Sequence, residues 1–258
     1  MKRAAVVALN TFREAVRDRV LYNLLFFALV MMAAAILVGQ ISIGIEETVI
    51  KSLGLSAISV IGVLIAVFIG VGLVYKEMDK RTLYAVLAKP VRRWEFLLGK
   101  FGGLALTLTV NTAAMTLGLF ATLLYVKPHL EPGDGVLLVA IYFILLKLLL
   151  VVALALLFSC YSTPLLAILY TATFYLAGQF VEEMRTFHMM KASPQLQALL
   201  RGLSYVLPNF ENFNVAGAAT HGQAIAGSLV LQNTVYTAVY CGVLLLIATA
   251  VFSRRNLK

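Results

Sequence analysis

The sequence predicts an all-α membrane protein with six transmembrane helices, and three observations carry that reading. Charged residues are only 13% of the 258 and mean hydropathy is +0.93, whereas about a quarter of a soluble domain is charged. Six apolar runs, at about 21–44, 53–75, 101–126, 136–158, 163–180 and 233–252, approach or exceed the length needed; a hydrocarbon core about 30 Å thick takes about 20 helical residues. None alternates apolar and polar residues as a barrel strand would, and inside hydrocarbon an isolated segment satisfies its own backbone polar groups only as a helix.

Ahead of the first run, Ala5, Leu9, Phe12, Val16 and Val20 recur at helical spacing, with Arg13, Glu14 and Arg17 on the other side. Residues 1–20 therefore read as an amphipathic helix lying at the membrane interface. Charges at Arg13, Glu14, Arg17, Asp18 and Arg19 break any apolar stretch behind Lys2 and Arg3, so a cleavable signal peptide is not expected.

The distribution of basic residues sets the orientation. With a cytoplasmic N-terminus, six spans return the C-terminus to the same side, and fifteen Lys and Arg fall on inside segments against five outside: Lys51, Lys127, Arg185, Lys191 and Arg201. Positive charge collects on the cytoplasmic side of inserted helices. The net charge of +9 is thereby accounted for by attraction to anionic lipid head groups, without nucleic acid as a partner. The expected location is the cell (inner) membrane. Cys160 and Cys241 have no metal-ligand spacing and read as small apolar fillers.

Residues 181–232 form the longest stretch outside the spans, on the extracytoplasmic side, and are too few to fold as a separate domain. The chain is one transmembrane domain, 1–258. Within that outer segment Ser193 and Pro194 make an N-cap and first-turn pair, Leu196, Leu199, Leu200 and Leu203 make an apolar face, and Pro208 ends the helix. A second helix is expected over 223–231, leading into the last span.

Between the second and third spans, residues 76–100 gather ten charged residues, Pro90 and the sole tryptophan, Trp94. Proline steers the residue before it away from α geometry, so the stretch divides at Lys89-Pro90 into two short helices, about 76–88 and 92–98. Trp94, Phe96, Leu97 and Leu98 suit the second to the interface. The segment is a shaped element suited to docking a cytoplasmic partner.

The order YKEMDKRTLYAVLAKPVRRWEFLLGK resembles the cytoplasmic segment of the type 2 (ABC-2) ABC transporter permeases. The matching positions are Glu77, Thr82, Leu83, Leu87, Pro90, Arg93, Gly99 and Lys100. Six spans, the N-terminal amphipathic helix and the outer segment with LPNFENFN at 207–214 extend the likeness over the chain, which looks closest to the branch that includes the permease of nitrous oxide reductase maturation. The resemblance implies a coupling helix at about 76–88 that docks on a separate ATP-hydrolysing subunit, with Glu77, Asp79, Arg81, Thr82, Leu83 and Leu87 in the docking element and Pro90, Arg93 and Lys100 shaping its return to the bilayer. It also implies an exporter built from two permease copies, likened to a homodimer, and two ATPase copies.

The chain itself lacks the means to bind ATP. A phosphate-cradling loop needs G-x-x-x-x-G-K-[ST], and Gly99-Lys100 has Trp94 at the first glycine position and Phe101 at the hydroxyl position. No cofactor is expected in this chain; ATP and Mg belong to the partner. No H-E-x-x-H, no G-x-S-x-G and no carboxylate inside a span is present, which argues against an intramembrane enzyme and weakens an ion-coupled carrier.

Lys147 is the one charge deep within a span, where a charged side chain is costly and defaults to a functional hypothesis. With Asn111 of the third span it is a candidate for the translocation path. Thr107, Asn111, Gly118 and Thr122 share a face, and Gly62, Ala66 and Gly70 share another, in patterns that let membrane helices approach closely. In the outer segment Met184 and His188 stand one helical turn apart, soft ligands suited to Cu(I). No metal site is assigned to them, but they define the alternative function: a membrane component of copper or metalloenzyme maturation, or a membrane enzyme, without net transport.

Overall fold

The chain turns its first corner at Asp18. In the computed structural model, which describes residues 2–41, 45–79, 93–127, 129, 132–187 and 194–254, α1 (Lys2–Val16) ends just before it and α2 (Arg19–Ile41) starts just after. Asp18 Oδ1 accepts from the Val20 N–H at 3.0 Å, satisfying one of the donors that a helix start leaves open. Among the described residues there are helices and short 3-10 turns, and no strand.

Two helices of 34 residues follow, α3 (Glu46–Asp79) and α4 (Arg93–Val126). At about 1.5 Å per residue each is about 51 Å long, so both outrun a hydrocarbon core of about 30 Å. The short helix expected at 92–98 is instead the first two turns of α4. Nothing between Leu98 and Phe101 breaks it, and Gly99 lies under α1, where a side chain would collide with Val7. The element expected at 76–88 lies only in part within the described residues, with α3 running as far as Asp79.

The 3-10 turn Pro132–Asp134 leads into α5 (Gly135–Ser159), and α6 (Pro164–Gln179) starts with proline in its first turn, where the missing N–H costs nothing. Beyond Phe180 come α7 (Val181–Phe187) and α8 (Pro194–Val206), the latter spanning the bounds that Pro194 and Pro208 predict. A 3-10 turn at Glu211–Phe213 and α9 (Ala216–Thr220) precede α10 (Gly227–Arg254). α9 ends in a Schellman turn: Gly222 at φ 65 sends its N–H to Ala219, and the Gln223 N–H reaches Ala218. Of the separate helix expected over 223–231, residues 227–231 are the start of α10 and 223–226 are not helical.

Five of these helices, α2, α3, α4, α5 and α10, are long and apolar enough to cross a membrane. α6 occupies the fifth expected run but has 16 residues, about 24 Å of helix. The chain is thus an all-α, multi-pass membrane protein. α3 and α5 are mostly buried and pack on each other at the centre, with Gly62 facing Leu148 and Gly70 facing Ala155. α2 lies on α3, α10 lies on α5, and both expose much of their apolar surface. α1 packs along the first half of α4. The bundle therefore has a basal end, where α1, the start of α4 and the end of α10 meet, and a distal end with the starts of α3 and α5.

Candidate functional site

Lys147 lies about 18 Å along α5 from Gly135, at about 1.5 Å per residue. It is 9% exposed and borders a cavity of about 150 Å³ between α3, α5 and the loop before α9, lined also by Ser56, Ser59, Ile144, Phe213 and Asn214. Its ammonium donates to Ser59 Oγ at 2.6 Å. An ammonium has three donors, and the serine takes one. The charge of Glu211 reaches Lys147, but the two form no ion pair among the described residues. Asn111 is not in the cavity wall: it is buried on α4 and its Nδ2 donates to the Thr107 carbonyl at 2.8 Å.

The roof of this cavity comes from the distal loop 207–220, which sequence reasoning left outside the bundle. Phe210 is 1% exposed and Phe213 is 2% exposed; burying such a ring contributes about 1.5–3 kcal/mol. The Phe210 N–H donates to Gly178 O at 3.0 Å, and its ring lies 5.2 Å from that of Tyr175. On the other side the Asn209 N–H reaches the Tyr236 hydroxyl at 3.0 Å, and Phe213 lies 6.1 Å from the Tyr236 ring. Asn209 Oδ1 accepts from the Glu211 N–H, which sets the turn that sends both rings inward. The sequence signal was two phenylalanines, three residues apart, in the otherwise polar run 209–214.

At the distal end Lys51, 6% exposed, lies 2.6 Å from Asp134 Oδ1 and also pairs with Glu47, which in turn binds Lys127 at 3.2 Å. This network ties the start of α3 to the end of α4 and the start of α5. Four charges converge there, Glu47 and Lys51 from α3, Lys127 from just after α4 and Asp134 from just before α5, an arrangement that sequence spacing does not reveal beyond the Glu47–Lys51 helical pair. A second cavity, about 300 Å³, opens nearby between α2, α3 and α4, with Glu46 as the charged residue in its wall.

At the basal end Arg93 donates to the carbonyls of Phe252 and Ser253 and sits 5.7 Å over the Phe252 ring. Lys100 is 1% exposed, 3.9 Å from Glu14 and 5.8 Å from the centre of Phe96. Of the residues assigned to coupling, these two bind α4 to α10 and α1. Glu77 and Asp79 lie in the last turn of α3, while Arg81, Thr82, Leu83, Leu87 and Pro90 lie outside the described residues. Trp94 is exposed, as an interfacial residue would be, whereas Phe96 and Leu97 are buried. Met184 is half-buried on α7, and His188 lies outside the described residues. Cys160 and Cys241 are both buried, and neither forms a disulfide.

These features sit within one recognisable whole. No curated protein shows a significant match to the chain. A family model described as "ABC-2 family transporter protein" matches residues 5–257, and over that extent the chain belongs to the ABC-2 family of transporter proteins.

Proposed function

We propose that this chain is the membrane permease subunit of an ATP-driven ABC exporter, coupling ATP hydrolysis by a separate cytoplasmic subunit to movement of a substrate across the cell (inner) membrane. The observation that carries the reading is the family match over 5–257 in a chain whose only Gly-Lys pair, Gly99-Lys100, lacks the rest of a phosphate-binding loop. Two copies of the chain pair with each other, and each takes one ATPase. Both termini and residues 76–100 are cytoplasmic, in keeping with the fifteen-to-five division of basic residues. α6 completes the six spans, with Phe180 and α7 making up its length. The ATPase docks on 76–88, and its motion enters the bilayer through α3, whose last turn opens that segment, and α4, which starts beyond it at Arg93. A rigid helix transmits such motion as a body. Arg93 and Lys100 pass it on to α10 and α1, and Lys147 lies on the path that opens.

Co-expression with a candidate ATPase and pull-down tests this. The wild type should retain the ATPase, and the charge-reversed pair Glu77→Lys with Arg81→Glu should lose it. Unchanged capture by the reversed variant would sink the docking assignment.

A further inference from the structure

We propose that the Lys147 cavity is a binding subsite for the anionic group of an amphiphile, a phosphate, sulfonate or carboxylate carried on an apolar body. The inference rests on the reading that the cavity lies on the transport path and adds to it the class of molecule received there. Three independent features converge on it. The first is the ammonium: Lys147 is nine-tenths buried, far along a membrane-spanning helix, and its contact is with the neutral hydroxyl of Ser59. One neutral acceptor answers neither its charge nor its other two donors, whereas an anionic oxygen in the cavity would answer both.

The second is a lane of hydroxyls. Ser52 and Ser56 are exposed on α3 and Ser59 is half-buried, at spacings of four and three residues, so they follow one side of the helix from its distal start to Lys147. A hydroxyl lane on a membrane helix gives an anion neutral donors along its way, and Asn214 adds an amide at the cavity itself. The third is size and surroundings. A cavity of about 150 Å³ accepts a group about as large as benzene, enough for one head group and too small for a whole lipid or sugar chain. Its wall continues onto Val60, an apolar side chain 57% exposed, which offers the apolar body a surface outside the cavity.

The test uses the purified full-length chain in zwitterionic lipid nanodiscs. Binding of a fluorescent phosphatidic acid is measured by titration, with inorganic phosphate as competitor in a second arm, for the wild type, Lys147→Met, Lys147→Arg and Ser59→Ala. The proposal expects at least a tenfold loss of affinity in Lys147→Met, a smaller loss in Ser59→Ala, substantial retention in Lys147→Arg, and no competition by inorganic phosphate at millimolar concentration. Each variant's thermal unfolding midpoint is recorded, and Ser59→Ala keeps the lysine in place should Lys147→Met fold poorly. Equal affinity in the wild type, Lys147→Met and Ser59→Ala overturns the subsite. Competition by inorganic phosphate at the same site overturns the amphiphile and assigns the cavity to a free anion. Because the titration needs no ATPase, its failure leaves the permease reading standing, and failure of the pull-down leaves the titration unaffected.

Discussion

The guanidinium of Arg93 donates to the Phe252 carbonyl at 2.7 Å, joining the first residue of α4 to the last turn of α10. A second bond reaches the Ser253 carbonyl at 2.8 Å, so one cation satisfies two of the carbonyls that a helix end leaves open and opposes the negative end of its dipole. A residue assigned from sequence to the return of the coupling segment thus holds two distant helices together.

Arg93→Ala should loosen that end of α10 without unfolding the bundle. Hydrogen bonds from a charged donor contribute about 1.5 kcal/mol at the low end of their range, the end that suits a half-buried site, and about 1.4 kcal/mol is tenfold in an equilibrium. Amide hydrogen exchange over 249–254 should quicken about tenfold. Exchange at the wild-type rate would show that the contact carries no load.

Lys51 and Asp134 give a test of the distal network. Their side chains are 7% and 5% exposed, and removing one partner of a buried pair typically costs about 3–5 kcal/mol, because the other charge is stranded. Asp134→Asn should lower the unfolding midpoint in detergent sharply. Here Glu47 still answers Lys51, so the loss should fall toward the low end. Lys51→Met with Asp134→Leu should recover much of it.

The seam between α1 and α4 is close enough to be wedged open. A Cβ at Gly103 would lie 2.5 Å from the Ala8 carbonyl oxygen and 2.6 Å from Thr11. Gly103→Leu should therefore push α1 off α4, at a cost of about 1–3 kcal/mol for overpacking. Thr11 is fully buried, so a cysteine placed there should react slowly with a maleimide in the parent and quickly in the Gly103→Leu background. Equal rates would contradict the packing.

Loop 207–220 should behave as part of the core. Phe210→Ala empties a site between Gly178 and Tyr175 and should cost about 3–5 kcal/mol, read as a fall in the thermal midpoint. Tyr205→Ala, a few residues away at a side chain 78% exposed, should leave the midpoint nearly unchanged. Similar effects for the two would contradict the buried placement of the loop.

Much of this architecture was legible in advance because hydrocarbon simplifies the problem. A run such as 136–158 has only one way to satisfy its backbone, so apolar length alone located α5 to within a residue or two. Local turn chemistry did the same for α8, where Pro194 and Pro208 bracket the helix. Local chemistry misled where a breaker was absent: the 92–98 element reads as amphipathic, yet it continues into α4 because α1 covers its glycine face. At the candidate site, Lys147 stood out as a lone charge in an apolar run, but its partners did not. Ser59 lies 88 positions away in sequence, and the loop with Phe213 looked like solvent-exposed chain.

The sequence by itself determined that the chain is helical, that it crosses the membrane many times, that a charged element separates its second and third spans, and that its Gly99-Lys100 pair is not part of a phosphate-binding loop. Those properties follow from composition, run length and short motifs, which act within one segment. Only the tertiary structure decided that Arg93 and Lys100 tie helices together, that Lys147 meets Ser59 of another helix, and that a distal loop folds inward to roof a cavity. Each of these depends on which helix faces set side by side. In a bundle whose faces are nearly all apolar, periodicity carries little information about that choice, and close packing of particular side chains makes it.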